Sequence, residues 1–405
     1  MRKKHVIFWD YFISNRFGGP TGYLAHLRSG LDGLELDREQ KVEFFIDALP
    51  ESEFPTGNKK QPPTEEDISK HIRYFENPDN FELSNEEFGR LTKRGPNSVH
   101  LHTTPLAYKV FRSFKRHGVT DIPIILTSHT PESNGKEMAD QYRVHSIDDR
   151  ACKRLEDAVR FIEALAFQAS DIWIFPSIES MDPYYATIPK FSNWARNKDI
   201  RFIPTGASLP RMSVEKNAAK AKFGLAGKKV VSFIGRHNEV KGYDLFCSAM
   251  ERVLEQQDDL AVLVAGPENP ALPAPKRNNW IELGWYSFPG DVLAASDLFI
   301  LPNKMTYFDL VLIEAVGMGV PTLASNTGGN VTMERLTKGV IRTFEPTPSI
   351  LSAEILNFFH LSEEEVRAQH SKLLSLYNDL FTPVSFARGY VNLINQIYAD
   401  YGMFK

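Results

Sequence analysis

LFILPNKMTYFDLVLIEAVGMGVPTLASNTGG, residues Leu298–Gly329, changes its hydrophobic period twice. Four consecutive apolar residues, Leu298–Leu301, predict a strand buried on both faces. Pro302 and Asn303 end it. From Phe308 a helical pattern follows, with Leu310, Val311, Glu314, Ala315 and Met318 at helix spacing. Gly319, Val320 and Pro321 stop the helix, Thr322–Ser325 predict a second strand, and Thr327-Gly328-Gly329 a small-residue turn. This is a strand–helix–strand unit of a parallel sheet, whose loops at the strand ends can face a ligand. One acid, Glu314, sits inside the apolar helix. A carboxylate on a buried face needs a partner. A salt bridge in the core is one solution, and the hydroxyls of a ligand are another.

Composition sets the outer bounds. With 405 residues the chain has room for two domains of about 150–200 residues each. Hydrophobic content of 42% and charged content of 24% are those of a globular protein. A net charge of −4 gives no global argument for nucleic acid, while a local basic patch remains compatible with an anionic ligand. Cys152 and Cys247 lie far apart with no metal-like spacing, which fits packing roles in a reducing compartment. Met1-Arg2-Lys3-Lys4 before HVIFWDYFI mimics a signal peptide. Asp10 interrupts the run and no small-residue cleavage site follows, so it is read as the first strand. No apolar run reaches the roughly 18 residues of a membrane-spanning helix.

Strands are expected at His5–Trp9, Val42–Ile46, Val99–His102, Ile122–Thr127, Ser170–Ser177 and Phe202–Gly206 in the first half. In the second half they are expected at Val230–Gly235, Leu260–Gly266 and Trp280–Leu283. Between them helices are expected at Tyr23–Leu31, Asp148–Ala169, 215–224, from Tyr243, and at Asp291–Ser296. The end reads as helices Ile350–Phe359, Glu363–Leu380 and Val384–Tyr401. The acidic, Pro- and Asn-containing stretch at about 50–97 reads as an irregular insertion with one or two short helices. The domains are therefore 1–206 with that insertion, 207–382, and a terminal helix in 383–405.

Several residues stand where strands hand over to loops. Gly18 and Gly19 precede a helix, where free N–H groups and the helix dipole suit a phosphate; a plain tight turn is the alternative. Neither the dinucleotide nor the P-loop spacing is met. His100 and His102 share one strand face, but no third ligand is apparent, which favours ordinary loop histidines over a metal pair. His129 directly follows an apolar strand, where α/β ligand sites lie. Arg236 and Lys241 flank the loop between the strand ending at Gly235 and the helix starting at Tyr243. They read either as solvated charges or as cations for a diphosphate.

The Gly235-Arg236…Lys241-Gly242 element, the FDLVLIEA run and the GVPTLASNTGG run resemble the donor-site signature of the retaining family 4 glycosyltransferases. The resemblance covers the C-terminal half well and the N-terminal half through scattered short motifs. It implies an α/β protein of GT-B fold, with two Rossmann-like doubly wound domains facing a central cleft and the last helix packing back on the first domain. The activity implied is transfer of a sugar from a nucleoside-diphosphate sugar to an acceptor hydroxyl, with retention and without metal. A UDP-sugar is the favoured donor and a GDP-sugar the second. The acceptor would be a glycan, a polysaccharide precursor or a lipid-linked saccharide, with cytoplasmic location and peripheral contact at the inner membrane face. No nucleic-acid partner and no further cofactor are implied, and the chain has no Asp-x-Asp triplet of the metal-using type.

By the same resemblance Gly18 and Gly19 face the donor phosphates, and His129 reaches the donor sugar. Arg236 and Lys241 neutralise the leaving diphosphate, and these two with His129 form the catalytic set. Gly266, Trp285, Tyr286, Thr306, Phe308, Asp309, Leu310, Val311 and Glu314 bind the donor, with the backbone near Trp285 at the nucleobase and Glu314 at the ribose. The family has two glutamates eight positions apart; the second matches Glu314, and the first falls on Thr306. The family glycine after the Phe is Asp309 here. Either Asp309 assumes part of the missing acid's role for a different sugar, or Thr306 caps the helix and Asp309 faces solvent. Two rival functions follow from Thr306 and from the architecture: a non-catalytic nucleotide-sugar-binding subunit of another transferase, and a nucleotide-sugar epimerase.

Overall fold

The computed structural model describes residues 2–14, 19–35, 41–49, 62–269 and 272–403. It divides into two compact units, Met1–Pro204 with Phe386–Lys405, and Thr205–Ser385.

Unit 1 is built on six parallel strands: β1 (Lys3–Phe12), β2 (Val42–Leu49), β3 (Ser98–Leu101), β4 (Ile124–Leu126), β5 (Ile172–Phe175) and β6 (Asp199–Phe202). Their order is β2-β1-β3-β4-β5-β6. The chain lays β2 on one side of β1 and β3 on the other, so the order reverses between β1 and β3. Every residue of β3, β4 and β5 is buried; the apolar runs of β4 and β5 require it, and in β3 the polar Ser98 and His100 are buried with hydrogen-bond partners. The described part of the expected irregular insertion is more regular than its composition suggests. It forms helices Glu65–Glu76 and Asn85–Lys93, each started by a capping box, Thr64 with Asp67 and Ser84 with Glu87. Ile68, Ile72 and Phe75 of the first share a buried cluster with Leu155, Val159 and Ile162 of the helix Asp149–Ala169. Residues 50–61 of that insertion lie outside the described residues.

The helix Pro383–Asp400 is held in unit 1 by its buried face, which includes Phe386, Tyr390, Ile394 and Tyr398. The Tyr390 hydroxyl lies 2.7 Å from His5 Nε2 and 2.6 Å from His100 Nδ1. His100 Nε2 lies 2.8 Å from Thr127 Oγ1, and Ser98 Oγ lies 2.7 Å from both His5 Nδ1 and the Tyr398 hydroxyl. His100 thus lies within β3 and is a polar core residue with a partner on each ring nitrogen, while His102 stands one residue past the strand, as a loop histidine, and is also buried.

Unit 2 carries β7 (Lys229–Ile234), β8 (Leu260–Ala265), β9 (Trp280–Glu282), β10 (Leu298–Leu301), β11 (Thr322–Ser325) and β12 (Arg342–Phe344). All pair in parallel in the order β12-β11-β10-β7-β8-β9. This is the doubly wound order of a Rossmann-like domain, and it reverses between β7 and β10.

Several elements differ from the expectations. The strand expected at Phe202–Gly206 is β6, at Asp199–Phe202; it is a half-exposed edge whose charged Asp199 and Arg201 mask it in the sequence. The helix expected at 215–224 shrinks to a 3₁₀ turn and the single turn Ala219–Lys222, because no side chain caps its start and Gly224 takes φ +70°. Thr327-Gly328-Gly329 is not a free turn but the start of the helix Gly328–Leu336. The helix at Phe308 begins at Leu310, and that at Tyr23 begins at Gly19.

Removing the Tyr390 hydroxyl by Tyr390→Phe leaves two buried imidazoles short of a partner. We expect a loss of about 1–3 kcal/mol of stability, seen as a lower urea midpoint by circular dichroism. An unchanged midpoint would show that this hydroxyl does not help to hold the terminal helix.

Candidate functional site

In unit 2 the loops after β7, β10 and β11 are pressed together at the sheet's order reversal. Gly242 has φ +67°, and a Cβ there would lie 1.8 Å from the Pro302 carbonyl oxygen. The Lys304 amide donates to the Val240 carbonyl at 3.0 Å. On the other side, a Cβ on Gly328 would meet the Thr306 carbonyl at 2.0 Å, and one on Gly329 the Tyr307 carbonyl at 2.2 Å. Ser325 Oγ and Thr327 Oγ1 both donate to the Asn303 carbonyl. The loop 302–309 is therefore clamped between its two neighbours. Gly266 performs the same service after β8, lying against the Gly235 carbonyl, 1.8 Å from where its Cβ would be.

This clamp brings Lys241, Thr306 and Asp309 together. Lys241 Nζ donates to Asp309 Oδ1 at 2.6 Å. Thr306 Oγ1 donates to Asp309 Oδ2 at 3.0 Å, and the Asn303 side-chain amide donates to the same oxygen. Burial works to raise the Asp309 pKa, but the Lys241 ammonium and the Thr306 and Asn303 donors outweigh it and hold the carboxyl below its ordinary value. Asp309 is itself the N-cap residue of the helix Leu310–Met318, yet its side chain makes no capping bond. So the reading in which Thr306 caps the helix and Asp309 faces solvent does not hold; the threonine hydroxyl is spent on the acid, and the acid on the lysine.

Glu314 behaves oppositely. It is half-buried on the same helix and accepts no hydrogen bond from any described residue. Burial pushes its pKa up to about 8. The core salt bridge considered for it is absent among the described residues. Phe308 is buried, Leu310 and Val311 are half-buried in the first turn, and Arg236 is exposed on the loop after β7. Trp285 is 65% exposed and presents an open ring. Tyr286 is tied into the fold: its hydroxyl donates to Asp291 at 2.9 Å, beside Lys222 and Ser213 on the same carboxylate.

In unit 1 the helix Gly19–Asp32 follows β1, and Gly19 itself takes φ +65°. Gly18 lies outside the described residues. His129 is half-buried three residues past the end of β4, with its Nε2 2.9 Å from His102 Nδ1. The Tyr23 ring packs 4.7 Å from the His129 ring and 5.3 Å from the His102 ring. Burial lowers the His129 pKa to about 3 and takes His102 well below its ordinary value, so both are neutral near pH 7.

Sequence reasoning missed Asn303 and the partnership of His102 with His129. In the sequence Asn303 reads only as a strand terminator. A signal for the Lys241–Asp309 pair did exist, namely opposite charges just past two strands that a Rossmann order makes neighbours.

Residues 228–358, within unit 2, match the family model described as glycosyl transferases group 1. The chain is similar to a D-inositol 3-phosphate glycosyltransferase of Segniliparus rotundus, 31% identical over 161 residues, which are 36% of this chain and 34% of that protein. The match thus spans about a third of that relative's length. Among solved structures, sucrose-phosphate synthase of Thermosynechococcus elongatus aligns with TM-score 0.65 and 16% identity over 98% of this chain and 100% of that one. Anabaena HepE in complex with UDP and glucose aligns with TM-score 0.58 and 15% identity over 98% and 100%. The fold is GT-B, with two Rossmann-like domains. No helix among the described residues is long and apolar enough to cross a membrane.

Because the folded state holds the Glu314 proton more tightly than an unfolded chain, whose carboxyl titrates near 4.5, its contribution is complete below that pH and is lost as pH rises through about 8. Glu314→Gln stays neutral throughout. The melting temperature of the variant relative to the unmodified protein is therefore expected to climb between about pH 5 and pH 9. A difference independent of pH would contradict the raised pKa.

Proposed function

We propose that this protein is a retaining glycosyltransferase that moves a sugar from a nucleoside-diphosphate sugar to an acceptor hydroxyl without a metal ion. The observation that carries the reading is Glu314, a half-buried acid with no donor among the described residues. It stands five residues along the helix whose N-cap contacts Lys241. An acid lacking donors complements vicinal ribose hydroxyls. A lysine beside a helix N-terminus complements phosphate oxygens. The two ligand features occur together in a nucleoside diphosphate. The similarity of residues 228–358 to group 1 glycosyl transferases supports this reading.

In the reaction the bond from sugar C1 to the phosphate oxygen breaks while a bond from C1 to the acceptor oxygen forms on the same face. Negative charge builds on the leaving diphosphate, where Lys241, Arg236 and the amides at the start of the helix Leu310–Met318 act as electrostatic partners. The leaving phosphate takes the acceptor's proton. Neutral His129 is assigned to hydrogen bonding with the sugar or the acceptor. The UDP named with HepE makes UDP-sugars the first donors to test and GDP-sugars the second. D-inositol 3-phosphate, from the name of the relative, joins glycans and lipid-linked saccharides as an acceptor to test.

The direct test is release of nucleoside diphosphate from these donors with and without acceptor. Product formed only with acceptor is expected; a changed sugar without acceptor would identify an epimerase, and binding without turnover a non-catalytic subunit. In an active assay Lys241→Ala and Arg236→Ala should each lower turnover by roughly 10²–10³, the scale of losing one preorganised donor of charge. Wild-type kinetics would return them to surface charges.

Above about pH 8, where the carboxyl is ionised, Glu314→Gln should weaken nucleoside-diphosphate binding by up to about 1.5–3 kcal/mol, the range for a hydrogen bond to a charged group, while barely affecting pyrophosphate. Titration calorimetry with both ligands decides this, since equal loss for the two would point to a structural role for the acid.

A further inference from the structure

Asp309 places a negative charge where a diphosphate is expected to bind. A carboxylate 2.6 Å from Lys241 Nζ cancels much of the field that the lysine would offer a phosphate. The pair is only partly exposed, at 17% and 19% for the two side chains, so solvent screens it less than a surface pair. The arrangement around the acid is also more than a single contact. Oδ1 takes the lysine, and Oδ2 takes both Thr306 and Asn303. An ionised carboxylate has about four acceptor positions, and three of these are filled. That leaves little capacity for reading sugar hydroxyls, the role first considered for this residue.

We infer that Asp309 is a positioning residue, the built-in counter-ion of Lys241, which parks the ammonium while the site is empty and gives it up when a diphosphate enters. This rests on the diphosphate reading of the site given above. Three features support the exchange. Lys241 has no other acidic partner among the described residues, so without Asp309 its half-buried ammonium would be uncompensated. Its four-carbon stem lets the charge swing while its backbone stays anchored, the amide donating to Asn238 Oδ1 at 2.9 Å. When the lysine leaves, Thr306 and Asn303 still satisfy the carboxylate. Asn303 is in turn fixed by Ser325 and Thr327 through its carbonyl. The consequence is a phosphate subsite tuned for weaker product binding. The retained negative charge repels the free diphosphate and speeds its departure.

The test is titration of inorganic pyrophosphate, UDP and GDP into the full chain and into Asp309→Asn, at low and high salt. Asn and Ser are both favoured N-cap residues, so Asp309→Ser serves as a second neutral replacement if the first variant folds poorly. Removal of the charge should tighten pyrophosphate and the preferred nucleotide alike by about three- to tenfold at low salt, a gain that shrinks as salt is raised. In a Lys241→Ala background the same substitution should tighten binding by a clearly smaller factor. A merely structural acid would give unchanged or weaker binding in both neutral variants, and that result overturns the inference. If the unmodified protein binds none of the three ligands, the diphosphate reading itself fails and the inference with it. If it binds them and neutral variants gain nothing, only the inference fails.

Discussion

In unit 2 the loops at the carboxyl ends of β7 and β10 touch with no Cβ between them. Gly242 lies so close to the Pro302 carbonyl that any side chain would force the loops apart. Everything placed at the site depends on that approach. It brings Lys241, the residue just before Gly242, into bonding distance of Asp309, which closes the loop begun at Pro302. Gly328 and Gly329 repeat the device from the β11 side and hold the loop's other face. A Cβ at any of these contacts would lie at 1.8–2.2 Å from a carbonyl oxygen, so the three loops could not keep this approach. The sheet order makes the meeting possible and the glycines make it close.

Two acids on one short helix then acquire opposite electrostatics. Asp309, at the helix start, has a cation and two neutral donors, and ionises readily. Glu314, five residues on, is shielded by the protein without donors and holds its proton to about pH 8. Both are surrounded by protein, so burial alone does not separate them; the Lys241 charge beside Asp309, and then its hydrogen-bond donors, do. Such a difference is hard to sustain for structure alone, since a donor-starved acid costs stability at neutral pH. It is easier to understand if Glu314 receives its donors from a bound ligand.

How legible this was in the chain varied with the kind of information needed. β10 and β11 fall at the expected residues because an unbroken apolar run bounded by Pro302 and Asn303, or by Pro321, has one reading. β6 and β12 are edge strands with charged residues, and β12 escaped notice altogether. The order of strands, not their existence, makes the site, and local periodicity carries no order. Glu314 stood out because an acid in an apolar helix is a local anomaly. The Lys241–Asp309 contact joins residues 68 apart, and no local rule pairs them. His102 and His100 looked like loop residues because polar side chains at a strand end usually are. His100 is partnered by Tyr390 of the terminal helix, 290 residues away, and His102 packs against Tyr23 of the helix Gly19–Asp32.

The histidines of unit 1 bear on the proposed chemistry through what they cannot do. A general base works best with a pKa near the working pH. Burial takes His129 to about 3, and its Nε2 already faces His102. A group so weakly basic gains little by accepting a proton from an acceptor hydroxyl. It can still donate or accept a hydrogen bond as a neutral imidazole, and its orientation is fixed by His102 and Tyr23. The proton released in the proposed transfer therefore needs another destination. The leaving diphosphate gains negative charge in the same step, and Asp309, which balances Lys241 in the empty site, keeps its own charge when the lysine turns to the phosphate. A phosphate oxygen not fully neutralised by lysine is a better base than one that is. The negative charge retained at Asp309 thus favours proton transfer to the phosphate itself in the proposed reaction, in keeping with same-face attack.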